Sequence, residues 1–265
     1  KIDVNKIAIV NGLETTALQT AITINDPEIV KLIIEKPDID INAITLVHDK
    51  NEKVFLTPLL FSISTKRKEI TKLLLKHPKI DVNLKTTKIS VKNGLTIESE
   101  DMPLVAAIRT DDNELLDALL KRPDIDVNAF GKVVSKNESG IVLNSSLPLL
   151  LIAYSAINFY AFESLLKHPN IDASSFYINN VSLLYITLSS NLTIFSKPLL
   201  KHPDVDVNAI SILPDNKFEA PLHIAVKNKL FDCIKLLLDN DKIDINVKND
   251  QGKTPIELTD NETIK

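Results

Sequence analysis

One six-residue phrase returns along this chain and constrains it more than any other feature. It reads Pro37-Asp-Ile-Asp-Ile-Asn42, Pro78-Lys-Ile-Asp-Val-Asn83, Pro123-Asp-Ile-Asp-Val-Asn128 and Pro203-Asp-Val-Asp-Val-Asn208, with looser copies at Pro169–Ser174 and Asp241–Asn246. A second phrase lies between the copies: Thr16-Ala-Leu18, Thr57-Pro-Leu59, Met102-Pro-Leu104, Leu147-Pro-Leu149, Ser182-Leu183, Ala220-Pro-Leu222 and Thr254-Pro-Ile256. From the anchor leucine to the next Asn (Ser174 in the fourth copy) the steps are 24, 24, 24, 25, 25 and 24 residues. The return steps vary: 13, 17, 21, 21, 9, 14 and 10. A constant segment alternating with a variable one is a packed unit joined by loops that tolerate insertion.

The constant segment reads as two short helices. Pro221 suits a first helical turn, and Leu222, Ala225 and Val226 form one stripe. Phe231, Ile234, Leu237 and Leu238 form a second. Asp26-Pro27-Glu28 is an N-terminal signal for the second helix. Lys-His-Pro at 76–78, 167–169 and 201–203 places cations at the negative helix end, then a proline that stops it. Pro198 falls inside the second helix of the fifth copy, which is therefore expected to be shortened or kinked. The variable segments carry strand pairs about turn signals: Thr45–Val47 with Val54–Leu56, Lys88–Val91 with Leu95–Ile97, and Val133–Val134 with Ile141–Leu143.

Ala220-Pro-Leu-His-Ile-Ala225, with Ile234–Leu238, Asp244-Ile-Asn246 and Gly252-Lys-Thr-Pro255, resembles an ankyrin repeat. The resemblance implies an all-α solenoid of about six stacked helix–turn–helix repeats with protruding β-hairpin loops. On this reading the repeats span about 15–42, 56–83, 101–128, 146–174, 181–208 and 219–246 in one domain over 1–265, with a repeat tail at 1–5 and a partial repeat at 252–265. The chain departs from the family in its His-Pro-Asp helix ends and in placing Asn, Asp, Lys or Ser where glycine is expected between helices. A start in a repeat tail and an end in a partial repeat keep open an alternative, a targeting or scaffold segment of a larger protein whose catalytic domain lies outside these residues.

Composition excludes several chemistries. A net charge of −4, with three arginines among 31 basic residues, gives no clustered groove for nucleic acid. Five glycines supply no phosphate loop, and no signature of a nucleotide-binding, zinc-protease or serine-hydrolase site occurs. Cys233 aligns with apolar core positions, and a single cysteine fits a reducing compartment. His77, His168 and His202 recur one per repeat, about 10 Å apart, too far to share a metal. His223 reads as a structural hydrogen-bond partner, and the Asp-x-Asn side chains as local supports of the turn into each finger.

The expected function is therefore non-enzymatic binding of a protein or peptide partner, with no cofactor, catalytic residue or metal. No nucleic acid and no membrane insertion are expected, and the chain reads as a cytoplasmic monomer. The binding surface is placed on the family's concave face and the hairpin fingers. Its candidate residues are Arg109, Tyr154 and Leu188, aligned as one row on the first helices, and Val91, Leu95, Val134 and Ile141 on the fingers. Tyr160 stands apart, because it occupies a position held by Glu28, Glu69, Glu114 and Asp232 in other copies.

Overall fold

The computed structural model describes residues 3–10, 13–49, 52–92, 94–137, 140–175, 177–178, 180–213 and 217–259. The chain divides into two compact units, Lys1–Ile152 and Ala153–Lys265. The first unit holds β1 (Ala8–Val10), β2 (Leu13–Thr15), α1 (Ala17–Ile24), α2 (Pro27–Ile34), β3 (Thr45–Asp49), β4 (Glu52–Leu56), α3 (Pro58–Ser64), α4 (Lys68–Leu75), β5 (Thr86–Lys92), β6 (Leu95–Asp101), α5 (Pro103–Thr110), α6 (Asn113–Leu120), β7 (Phe130–Asn137) and β8 (Gly140–Pro148). The division falls inside α7 (Leu149–Ser155). The second unit holds α8 (Phe159–Leu166), β9 (Tyr177–Ile178), β10 (Val181–Ser182), α9 (Leu183–Ser189), α10 (Thr193–Lys201), β11 (Ser211–Ile212), β12 (Phe218–Glu219), α11 (Pro221–Lys227), α12 (Phe231–Leu238) and a 3-10 turn over Pro255–Leu258.

Caps set the helix starts. The hydroxyls of Thr16, Thr57 and Ser182 accept the backbone N–H three residues on, and proline opens α2, α3, α5 and α11. Asp26, Asp112 and Asn158 cap the second helices in the same way. Each first helix ends on a left-handed residue, Asn25, Lys66, Asp111, Ile157, Asn191 or Lys229, and none of these is glycine. The next residue's N–H then bonds back to Ala21, Ser62, Ala107, Ala153, Thr187 or Ala225 respectively.

That bond fixes the register and corrects two expectations. The left-handed residue lies seven positions after Leu18, Leu59, Leu104 and Leu222. By the same count the fourth anchor is Leu150 and the fifth Leu184, not Leu149 and Leu183. All six anchors then stand 24 residues before their Asn or Ser. Tyr154 and Leu188 consequently fall in the slot of Ile22, Ile63 and Ile108, which are buried core residues. Leu188 is 0% exposed.

Within each unit, facing helices pack through apolar side chains. Leu18, Ile22, Val30, Leu59, Ile70, Leu74, Leu104 and Leu116 are buried in the first, and Phe162, Leu165, Leu184, Phe195, Leu199 and Leu237 in the second. Pro198 does not shorten α10, which runs nine residues. Its ring takes the position of Leu32 and Leu73, away from the buried stripe, so the interior proline leaves Phe195 and Leu199 in the core.

The fold is not purely α-helical. The three hairpins β3–β4, β5–β6 and β7–β8 join edge to edge into one six-stranded antiparallel sheet in the order β3-β4-β5-β6-β7-β8. The reason is metric: one hairpin occupies two strand spacings, about 9.6 Å, and packed helices lie about 8–10 Å apart. Hairpins rising from successive repeats therefore reach hydrogen-bonding distance wherever they are long enough. The expected 93–94 turn of the second hairpin includes Asn93, which lies outside the described residues.

A second device ties consecutive repeats. Each Asp of the returning phrase accepts the N–H two residues on, as with Asn42 to Asp40 at 3.0 Å, which is the local support expected. Asn instead reaches across to the next repeat. Asn42 Nδ2 donates to Lys79 O (2.8 Å) while its Oδ1 accepts Asp81 N–H (2.9 Å). Asn5, Asn83 and Asn208 repeat this two-bond link. Ser174 is too short for it, and its hydroxyl turns back to Asp172.

Candidate protein-binding surface

Strand alternation sorts the sheet into two faces. Asp101, at the end of β6, lies 3.9 Å from Arg109 on α5, so the face it occupies is the one turned toward the first helices. The register puts Val54, Lys88, Ser99 and Val133 in one row of that face, and Glu52, Ser90, Ile97 and Ser135 in the next. Leu95 shares Ile97's parity and belongs there too. Val54, Leu95, Ile97 and Val133 are half-buried. The cross-strand pair Lys88–Glu52 (2.8 Å) lies among them, between Val54 and the side that holds Leu95, Ile97 and Val133, and Asp101–Arg109 lies at the helix end of the face. Burial pushes the Asp101 carboxyl up, and the Arg109 guanidinium opposes that shift.

The structure brings Arg109 and Leu95 to this face and separates the other candidates from it. Val91 is exposed but lies on the opposite face, beside Ile89. Val134 is on that opposite face as well and is only 7% exposed, because it sits in an interior strand between Glu98 and Asn144. Ile141 pairs through its backbone with Lys136, and its side chain lies outside the described residues. Tyr154 is half-buried rather than presented. Its ring meets Phe195 edge-on at 5.2 Å, and its hydroxyl donates to Ser190 Oγ at 2.8 Å. The exposed row on the first helices runs instead through Thr23, Ser64 and Arg109 in the first unit and Ser155, Ser189 and Lys227 in the second.

Several residues have structural work. Nδ1 of His77, His168 and His202 each accepts the backbone N–H two residues on, at 3.2, 3.2 and 3.3 Å. These contacts close the turn after each second helix. His223 accepts Ala220 N–H at Nδ1, and its Nε2 lies 3.0 Å from Lys253 O. Cys233 is fully buried, and burial pushes its thiol up. The Tyr185 hydroxyl donates to buried Glu219, whose other oxygen takes Lys227, and desolvation with that carboxylate raises the phenol. Among the described residues no cluster of His, Cys, Asp or Glu could hold a metal ion, and no helix is long and apolar enough to cross a membrane.

Helix pairs with capped left-handed links, an asparagine ladder and finger hairpins define a helical-repeat protein. Within the chain, residues 149–256 match the family model for three copies of the ankyrin repeat. Among solved structures it is similar to an ankyrin repeat protein, at 18% identity and a TM-score of 0.32 over 94% of this chain and 92% of that one. It is also similar to a chain in the complex of a predatory endopeptidase from Bdellovibrio bacteriovorus with an immunity protein, at 18% identity and a TM-score of 0.37 over 92% and 90%. No curated protein matches the chain.

Proposed function

We propose that this chain is a non-enzymatic binding module whose partner, a protein or peptide, lies on the sheet face that carries Val54, Leu95, Ile97 and Val133, with Arg109 at its foot. Ankyrin repeats as a class mediate protein–protein interaction. The observation that supports this surface is the merging of three hairpins into one sheet whose face toward the first helices keeps half-open aliphatic side chains beside the Lys88–Glu52 and Asp101–Arg109 pairs. A hydrogen-bonded sheet holds those side chains at fixed spacing, so little ordering cost attends docking.

The test compares Ile97→Glu with Val91→Glu, two single charges on opposite faces of the same hairpin, in affinity capture and subsequent titration of the captured partner. Ile97→Glu should weaken binding by about tenfold or more, as an interface-centre change does, and Val91→Glu should leave it near the unsubstituted value. The reverse order would move the site to the other face.

A further inference from the structure

The second helices carry a regular pattern of charge. Two residues after the cap stand Glu28, Glu69, Glu114, Tyr160, Ile194 and Asp232, and five after it stand Lys31, Lys72, Asp117, Glu163, Lys197 and Lys235. At two junctions a lysine of one helix bridges the carboxylate of the next. Lys72 reaches Glu114 at 2.8 Å between α4 and α6, and Lys197 reaches Asp232 at 2.6 Å between α10 and α12. Between α8 and α10 both partners are changed. Glu163 stands at the lysine position and turns to Lys167 of its own helix (3.1 Å), while Ile194 replaces the acid and is 51% exposed. The bridge is therefore missing, and a groove of about 580 Å³ opens between the two helices.

Phe159, Leu166, Ile194 and Pro198 line the floor. The charged lining is three lysines, Lys167, Lys197 and Lys201, against one acid, Glu163. Lys167 bridges Glu163 and Lys197 bridges Asp232, which leaves Lys201 as the lining lysine with no ion pair among the described residues. Pro198 has no N–H, so the Ile194 carbonyl lacks its usual helical donor. Tyr160, at the same helix position as Ile194, is 42% exposed on α8 and extends the apolar surface. Ser174, which cannot make the asparagine link, belongs to this same junction, so the junction lacks both the asparagine link and the lysine–carboxylate bridge that the α4–α6 and α10–α12 junctions carry.

We propose that this groove docks an acidic amphipathic segment of a partner protein. One aliphatic side chain rests on Ile194 and Pro198, and flanking carboxylates meet Lys167 and Lys201. The charge of the lining selects the occupant: a basic segment would face the lysines, and an uncharged one would leave Lys201 without a counter-charge. The site is independent of the sheet face.

The test selects random 12-residue displayed peptides on the whole chain and depletes them on the double variant Glu163→Lys/Ile194→Glu, which supplies the lysine and carboxylate that bridge α4 to α6 and α10 to α12. The recovered peptides should carry an aliphatic residue flanked by Asp or Glu. Made synthetically, they should lose about tenfold or more in affinity on the double variant and weaken as salt is raised. Lys201→Glu, an exposed single change, should weaken them as well, and thermal unfolding shows that both variants keep their fold. The proposal is overturned if no peptide survives depletion, if the survivors are basic or uncharged, or if neither variant changes their affinity.

Discussion

Ile157 carries a local strain that its neighbours avoid. It is a β-branched residue at φ 54°, in a slot that Asn25, Asp111 and Asn191 fill more comfortably. Its side chain is 73% exposed, so almost no burial compensates. Ile157→Gly should therefore stabilise the protein by about 1 kcal/mol, the left-handed cost of roughly 1–2 kcal/mol less the greater freedom glycine has when unfolded. Denaturant unfolding would measure it, and an unchanged or lowered midpoint would show that the slot tolerates isoleucine. At this scale the sequence was partly legible. The replacement of glycine by other residues between the helices could be read directly. The exposure of Tyr154 and Leu188 could not, because a one-residue choice of anchor turns a core side chain into a surface one. The correct choice was nevertheless available, since only Leu150 and Leu184 make all six steps equal.

At the level of elements, Ser174 is the informative departure. The asparagine link adds two hydrogen bonds between consecutive repeats at Asn5, Asn42, Asn83 and Asn208, and the Ser174 hydroxyl turns instead to Asp172. Ser174→Asn should place donor and acceptor opposite the Pro203–Val207 turn and stabilise the second unit by about 1–2 kcal/mol, two exposed bonds at roughly 0.5–1.5 kcal/mol each. A matched asparagine removal, Asn208→Ser, should cost a similar amount. If the first change is neutral while the second is costly, the fourth turn is held in a geometry that the link cannot span. Sequence reading found the Asn of each phrase but assigned it a local role, because a side chain's reach into the next repeat depends on how the repeats stack. The helices themselves were legible from caps and period. The strand partners were legible only within each hairpin, and alternation then decided which aliphatic residues share a face. Leu95 fell with Arg109, while Val91 and Val134 did not.

For the molecule as a whole, the sheet changes how a local loss spreads. A stack of helix pairs couples each repeat only to its neighbours, but the sheet hydrogen-bonds hairpins that rise between the first, second and third helix pairs and beyond the third. Leu74→Ala and Leu237→Ala both remove fully buried leucines and should each cost about 2–5 kcal/mol. Their footprints in hydrogen exchange should differ. Leu74→Ala should raise exchange in α3 and α4 and across the β3–β8 amides together, whereas Leu237→Ala should act on α11, α12 and the facing α10. Equal, chain-wide responses to the two would contradict this division.

The equality of two strand spacings with one helix spacing also acts as a gauge. The first unit keeps all six strands bonded only while its repeats stay at that pitch, so bending one repeat against the next must shear a row of amide bonds. In the second unit the fingers are two-residue strands, β9–β10 and β11–β12, tied to each other by the Ile212 N–H to Asn180 O bond (3.0 Å) and the Ser182 N–H to Ser211 Oγ bond (3.1 Å) rather than by a continuous sheet. Pulled from its ends in a force experiment, the chain should release its second unit in small successive steps and its first as a single larger rip. One half behaves as a spring and the other as a plate.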